Sequence, residues 1–325
     1  MSFGLAWLSW RHIERPFRAK GVLGRGTIFT LSLSSLALFC ALGIAGSLLN
    51  GWPSRLSPEE RALIASVQVS PKRSLCNVSP DNALEPEDAC VFNGDVPQVA
   101  VFGDSHTVEL AYALGALARD RNIAVAQYSR AACNPAYGKT DDDPCTAWTH
   151  DAVETILAAD TITDVVISYR MAAALYGATN EAYPDFVDDR TEEDRSATWA
   201  AFLDVLDAFR AGGKRVYFVI QVPELHRDVQ HLVSAAAGQP AEDALPGVTR
   251  DWWDRRIGDV MDRLHELPAG VTVIDPTGFF CDRTRCYATR DGRALYFDDD
   301  HMSVYGAKLV ARPVLAAILR HVSGP

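Results

Sequence analysis

Two short stretches of the chain carry residue types suited to nucleophilic chemistry. The first is "VAVFGDSHTVEL", residues 99–110, where four apolar residues run into Gly103, Asp104, Ser105 and His106 and an amphipathic run starts at Thr107. The second is "YFDDDHMS", residues 296–303, which places Asp298 three residues before His301. A serine hydroxyl becomes a nucleophile when an imidazole takes its proton and an acid orients that imidazole. Ser105 offers the hydroxyl, His301 the base, and Asp298 the acid that turns back onto the ring. Gly103 permits a tight turn, and a helix N-terminus beside Ser105 supplies free N–H groups and positive potential for an oxyanion. Read alone, Asp104 or Ser105 is more simply a helix cap.

The other histidines have no such partner in the sequence. His12 lies in a basic N-terminal segment, and His150, His226, His231, His265 and His321 fall in helical or insertion sequence. His106 is expected to point away from Ser105. Asp298, Asp299 and Asp300 form an acidic run of the kind that can bind a divalent ion. A solvated loop is the simpler reading, so no metal or other cofactor is expected.

Both stretches must be held by larger elements. Apolar runs at 99–102, 123–128, 164–169, 215–222 and 270–275 read as strands buried on both faces. Helical patterns near 107–120, 147–159, 194–211, 250–266 and 303–321 alternate with them, the last open to a kink at Pro313 and preceded by Ser303 as a cap. Five such units predict a three-layer α/β/α domain around a five-stranded parallel sheet. Ligands of these sheets bind at the carboxyl ends of the strands. Ser105 follows the first strand and His301 precedes the last helix, so both belong at that edge. Insertions at about 177–193 and 226–248 follow strands three and four and overhang the same edge.

The rest of the chain sets the compartment. Residues 27–49 are free of charge and long enough, at roughly 35 Å as a helix, to cross a bilayer. A cleavable signal peptide is the lesser alternative. Residues 1–26 hold five basic residues and one acidic, +4, which leaves −15 of the total −11 for the remainder. The positive-inside rule puts the N-terminus in the cytoplasm and the body outside. An acidic body argues against nucleic acid as a partner. Residues 50–96 read as a linker with little periodicity, and 97–325 as the globular domain.

Apart from Cys40 in the apolar stretch, the cysteines fall in sequence-local pairs: Cys76 and Cys90, Cys133 and Cys145, Cys281 and Cys286. Six cysteines allow 15 pairings. Local disulfides are expected, in keeping with an oxidising compartment such as a periplasm. Zinc is disfavoured, because no C-x-x-C motif occurs and no histidines cluster nearby.

G-D-S after the first strand and D-x-x-H before the last helix together resemble the SGNH (GDSL-like) hydrolases over about residues 95–322. The resemblance implies a flavodoxin-like fold and a triad of Ser105, His301 and Asp298. That family also has a glycine after strand two and an asparagine after strand three, both serving the oxyanion. Here the sequence reads "YSRAACNP" and "ISYRMA" instead. Ser105 N–H and a backbone N–H of Ala131 or Ala132 are the substitute oxyanion donors. Arg170 is either a charged donor or a salt-bridge partner of the acidic insertion.

The opening "LSWRHIERPFR", 8–18, is similar to the C-terminal end of acyltransferase-3 membrane proteins. Some of these carry one more membrane span, a linker and a periplasmic SGNH domain. That variant has GDSH, a cysteine pair after strand two, an arginine after strand three and a close cysteine pair before D-x-x-H. All occur here, at Gly103–His106, Cys133 and Cys145, Arg170, and Cys281 and Cys286. The resemblance makes residues 1–20 a remnant of the acyltransferase-3 C-terminus. It implies acyl transfer, usually of acetyl, to hydroxyls of a cell-surface polysaccharide. The acyltransferase-3 membrane domain would be the partner, lost by truncation of the reading frame or encoded separately. A membrane-anchored esterase with the same triad and an inactive remnant are the alternatives.

Overall fold

The computed structural model describes residues 2–15, 24–48, 56–236 and 244–322. The chain divides into two compact units, 1–57 and 58–325. In the first, a helix at Arg25–Leu48 is the one helix among the described residues long and apolar enough to cross a membrane. Leu49, the last residue of the expected span, lies outside the described residues. Cys40 on this helix is exposed and unpaired with any other cysteine.

In the second unit the five expected strands all form: β3 Val99–Gly103, β4 Val125–Arg130, β5 Asp164–Ser168, β6 Arg215–Val219 and β8 Thr272–Ile274. They lie in the order β4-β3-β5-β6-β8 and every neighbouring pair is parallel. Numbered among themselves this is 2-1-3-4-5, the flavodoxin order, whose ligand crevice opens beside the first strand.

The sheet is wider than expected, with seven strands instead of five. The additions come from the segment read as a linker. Two-residue β1, Asn77–Val78, pairs parallel with the last residues of β4, and β2, Cys90–Phe92, pairs antiparallel with its first ones. Two short pieces thus share one edge of β4, and the Cys76–Cys90 disulfide ties them together. Neither piece shows sequence periodicity, because two or three residues are too few to display one. Outside the sheet, β7 Pro246–Thr249 pairs with β9 Arg285–Tyr287, and β10 Thr289–Arg290 with β11 Arg293–Ala294.

Helices α1 Thr107–Ala118 and α5 Val304–Val322 pack together on one face. Helices α2 Pro144–Ala158 and α3 Glu192–Ala211 contact each other on the other face, while α4 Arg250–Asp262 packs on the short helix Met171–Tyr176. α5 runs unbroken through Pro313. Between the layers β3 is wholly buried, and Phe102 stacks on Trp148 and meets Phe209 edge-on. Each such ring contributes about 1.5–3 kcal/mol by burial. Trp148, Trp199, Trp252 and Trp253 are all buried. The three local cysteine pairs are disulfide-bonded as expected.

Candidate active site

β3 ends at Gly103, whose φ is +150°. A Cβ there would stand 1.9 Å from the Ser168 carbonyl oxygen, so only glycine lets β3 and β5 lie this close as the chain turns. Asp104 follows, buried under the turn. Its Oδ1 accepts the His106 N–H at 2.9 Å and its Oδ2 the Arg170 N–H at 2.7 Å. Burial raises its pKa to about 6, against the lowering effect of those two N–H groups. Asp104 therefore braces the turn ahead of the helix at Thr107–Ala118 and ties it to the end of β5. Ser105 is left with its hydroxyl free of any capping bond.

That hydroxyl meets His301. Ser105 Oγ lies 2.8 Å from His301 Nε2, and His301 Nδ1 lies 2.8 Å from Asp298 Oδ2. The 296–302 segment closes on itself: Tyr296 bridges Met302, and Phe297 N–H donates to the His301 carbonyl. Asp298 Oδ1 accepts the backbone N–H of Asp300 and of His301, which aims its other oxygen at the ring. Ser303 caps α5, accepting the Gly306 N–H on Oγ at 3.1 Å.

Three further groups fix His301 that the sequence did not single out. The ring is sandwiched between His106, centroids 4.4 Å apart, and Phe297, 5.3 Å apart. His106 thus points toward the site and not away from it. Burial and the neighbouring charges of His301 and Arg170 hold its pKa well below the usual histidine value, so it is a neutral ring. Its Nε2 has no hydrogen-bond partner among the described residues. Asp300 is the third group: its Oδ1 lies 2.6 Å from His301 Nδ1. Burial alone would lower the His301 pKa, but the carboxylates of Asp298 and Asp300 outweigh it and raise it to about 10.

Arg170 does not stand free as an oxyanion donor. Nε bonds Glu224 Oε1 at 2.7 Å, Nη2 bonds Asn180 Oδ1 at 2.9 Å, and Nη1 pairs with Asp300 Oδ2 at 2.5 Å. Only Asn180 belongs to the insertion expected to hold it. Glu224 in turn accepts from Arg256 at 2.7 Å and from Gln221 at 3.1 Å. The Ala131 N–H is also committed, donating to the Val78 carbonyl at 2.8 Å, which removes it from the oxyanion candidates. Ala132 is exposed, with a φ of +54°. It takes the left-handed backbone that glycine adopts most easily, in the segment after β4 where the SGNH pattern has its glycine.

The linker segment reaches the site as well. Arg73 lies 4.9 Å over the Phe297 ring, pairs with buried Glu109 at 2.6 Å and donates to the Ser105 carbonyl at 3.4 Å. Residues 58–96 are thus part of the domain and not a spacer. One carboxylate oxygen from each of Asp298, Asp299 and Asp300 lies within 4.8 Å of the others, and these side chains are also engaged within the protein: Asp298 and Asp300 face His301 and Asp299 accepts from Asn180.

A family model described as "SGNH domain (fused to AT3 domains)" matches residues 75–316. The chain belongs to this SGNH family. Among solved structures, the periplasmic domain of the lipopolysaccharide acetyltransferase of Salmonella ser. Paratyphi A is similar at 13% identity and a TM-score of 0.54, over 85% of this chain and 94% of that one. A carbohydrate acetylesterase family member from Sinorhizobium meliloti is 14% identical, with a TM-score of 0.38 over 69% of this chain and 99% of that one. No curated protein sequence matches the chain. The SGNH assignment makes this an acyl-handling fold, and the arrangement at Ser105 is what that fold carries here.

Proposed function

We propose that the chain is an O-acyltransferase whose nucleophile is Ser105, with His301 as base and Asp298 as the acid that orients it. The carrying observation is the continuous line from Ser105 Oγ through the His301 ring to Asp298, 2.8 Å on each side. In the first half-reaction Oγ bonds to the acyl carbonyl carbon while Nε2 takes its proton. The oxyanion is met by the N–H groups of Ser105 and Ala132, the first at the start of α1. Collapse expels the donor group with the proton from Nε2 and leaves an acyl-serine. A hydroxyl of the acceptor then repeats the sequence: it loses its proton to Nε2, forms the new ester, and Ser105 leaves re-protonated.

The acceptor in this reading is a cell-surface polysaccharide and the group is acetyl. The donor side is an acyltransferase-3 membrane domain, a partner supported by the family's fusion to AT3 domains. The apolar Arg25–Leu48 helix and the basic residues before it support an inner-membrane anchor with the N-terminus in the cytoplasm and the SGNH domain in the periplasm. A second reading is hydrolysis, with water as acceptor. It is favoured by the partial exposure of Ser105 and His301, which admits solvent.

The full chain in detergent should hydrolyse 4-nitrophenyl acetate, and Ser105→Ala and His301→Ala should each lower kcat by at least about a thousandfold. Activity retained by either variant overturns the assignment. With an acyltransferase-3 protein, an acyl donor and a polysaccharide acceptor, ester formed on the glycan supports transfer. Free acetate alone supports the esterase.

A further inference from the structure

His301 Nδ1 carries one hydrogen at most, yet two carboxylates stand within bonding distance of it, Asp298 at 2.8 Å and Asp300 at 2.6 Å. Two like charges this close repel unless one of them is balanced. The balance is visible. Asp300 is buried, and its second oxygen is held by Arg170 at 2.5 Å. Arg170 is backed by Glu224, and Glu224 by Arg256, each at 2.7 Å. Along Arg256, Glu224, Arg170 and Asp300 the charges alternate and sum to zero. Asp298 is left as the formal counter-charge of a protonated His301. The Arg170 main-chain N–H also holds Asp104, so the residue that steadies the base is bonded to the turn that carries the nucleophile.

We propose that Arg170 and Asp300 are a positioning pair for the catalytic base: Asp300 is a second orienting carboxylate on His301, and Arg170 both fixes it and cancels its charge. This rests on the reading of His301 as the base of Ser105. The groups facing the ring are known from each side. Its own loop presents Asp298 and Asp300, the β3–α1 turn presents Ser105 and neutral His106 with Asp104 beneath, and the end of β5 presents Arg170. From the N-terminal side Arg73 covers Phe297 and is paired with Glu109. Of these, Arg170 and Asp300 are ion-paired with each other, and either charge can be changed with Ser105, His301 and Asp298 themselves left in place.

The test is the acid limb of the pH profile of kcat/KM for 4-nitrophenyl acetate, measured on the full chain in detergent. Arg170→Gln leaves Asp300 unbalanced, favours the imidazolium and should move the limb to higher pH. Asp300→Asn removes a carboxylate and should move it to lower pH. A unit charge this close to the ring predicts displacements on the order of two pH units. Arg170→Lys keeps the charge and should bring the limb back toward the wild-type position. Where a variant is too slow to assay, the 13C shifts of the His301 imidazole report the same displacement. Opposite displacements support the pair. Limbs that stay put or move in the same direction while Ser105→Ala is inactive overturn it and leave the nucleophile reading intact. Hydrolysis that survives in Ser105→Ala overturns the nucleophile reading itself.

Discussion

At the scale of single residues, His301 sets how the site responds to pH. Its pKa is raised to about 10 by Asp298 and Asp300 against the effect of burial, whereas in the unfolded chain it is near 6.5. Folding therefore binds the proton, and the stability this contributes is complete below pH 6.5 and fades as pH climbs toward about 10. His301→Gln removes that contribution. Urea melts should show the largest gap between wild type and variant near pH 6 and the smallest near pH 10. Under the proposed mechanism catalysis runs the other way, because only the neutral imidazole can take the Ser105 proton. Ester hydrolysis by the wild type should rise through pH 7–10, as kcat/KM profiles will show, and a rate that falls over that range would contradict the base assignment. Ser105, His301 and Asp298 were legible in the sequence because each sits in a short motif. Asp300 and His106 were not. Whether the second of two alternate acids points at the ring, and whether a histidine beside a serine folds over it, depends on the closure of the 296–302 turn and on burial. Neither leaves a sequence pattern.

At the scale of elements, the turn after β3 carries the most constraint for its length. Gly103 passes under the Ser168 carbonyl, and Asp104 spends both oxygens on main-chain N–H groups of two different segments. Gly103→Ala pushes a methyl into the backbone of β5 and should cost about 3–5 kcal/mol, read as a lower urea midpoint at unchanged slope. The five main strands were legible as apolar runs, since a strand buried on both faces has nothing else to display. The edge was not. β1 and β2 are short and are held to β4 by pairing and by the Cys76–Cys90 bond, which closes 14 residues. Replacing both cysteines by serine should lower stability by about 3 kcal/mol, the loop-closure value for such a span. The loss should vanish when wild type and variant are compared under reducing conditions.

At the scale of the whole molecule, the boundary of the SGNH-containing unit lies well ahead of where composition puts it. A domain start at residue 97 follows from the onset of regular alternation, and the family match begins at residue 75. The compact unit begins at Pro58. Between these positions lie contacts no periodicity announces. Ser66 Oγ accepts the Ala294 N–H, the Gln68 carbonyl accepts the Val304 N–H at the start of α5, and the Ser70 N–H donates to Glu109. Arg73 then covers Phe297, which lies against His301. The first two of these bonds fasten both ends of the His301 loop to a segment more than 200 residues away in sequence. A chain of residues 56–325 should therefore fold cooperatively and keep the ester hydrolysis of the full chain. One of residues 75–325 keeps the whole central sheet but loses Arg73 and the three bonds. It should retain its far-ultraviolet circular dichroism, melt earlier, and lose most of kcat with KM nearly unchanged. A shortened chain with wild-type kcat would mean that β3, α1 and α5 position His301 unaided.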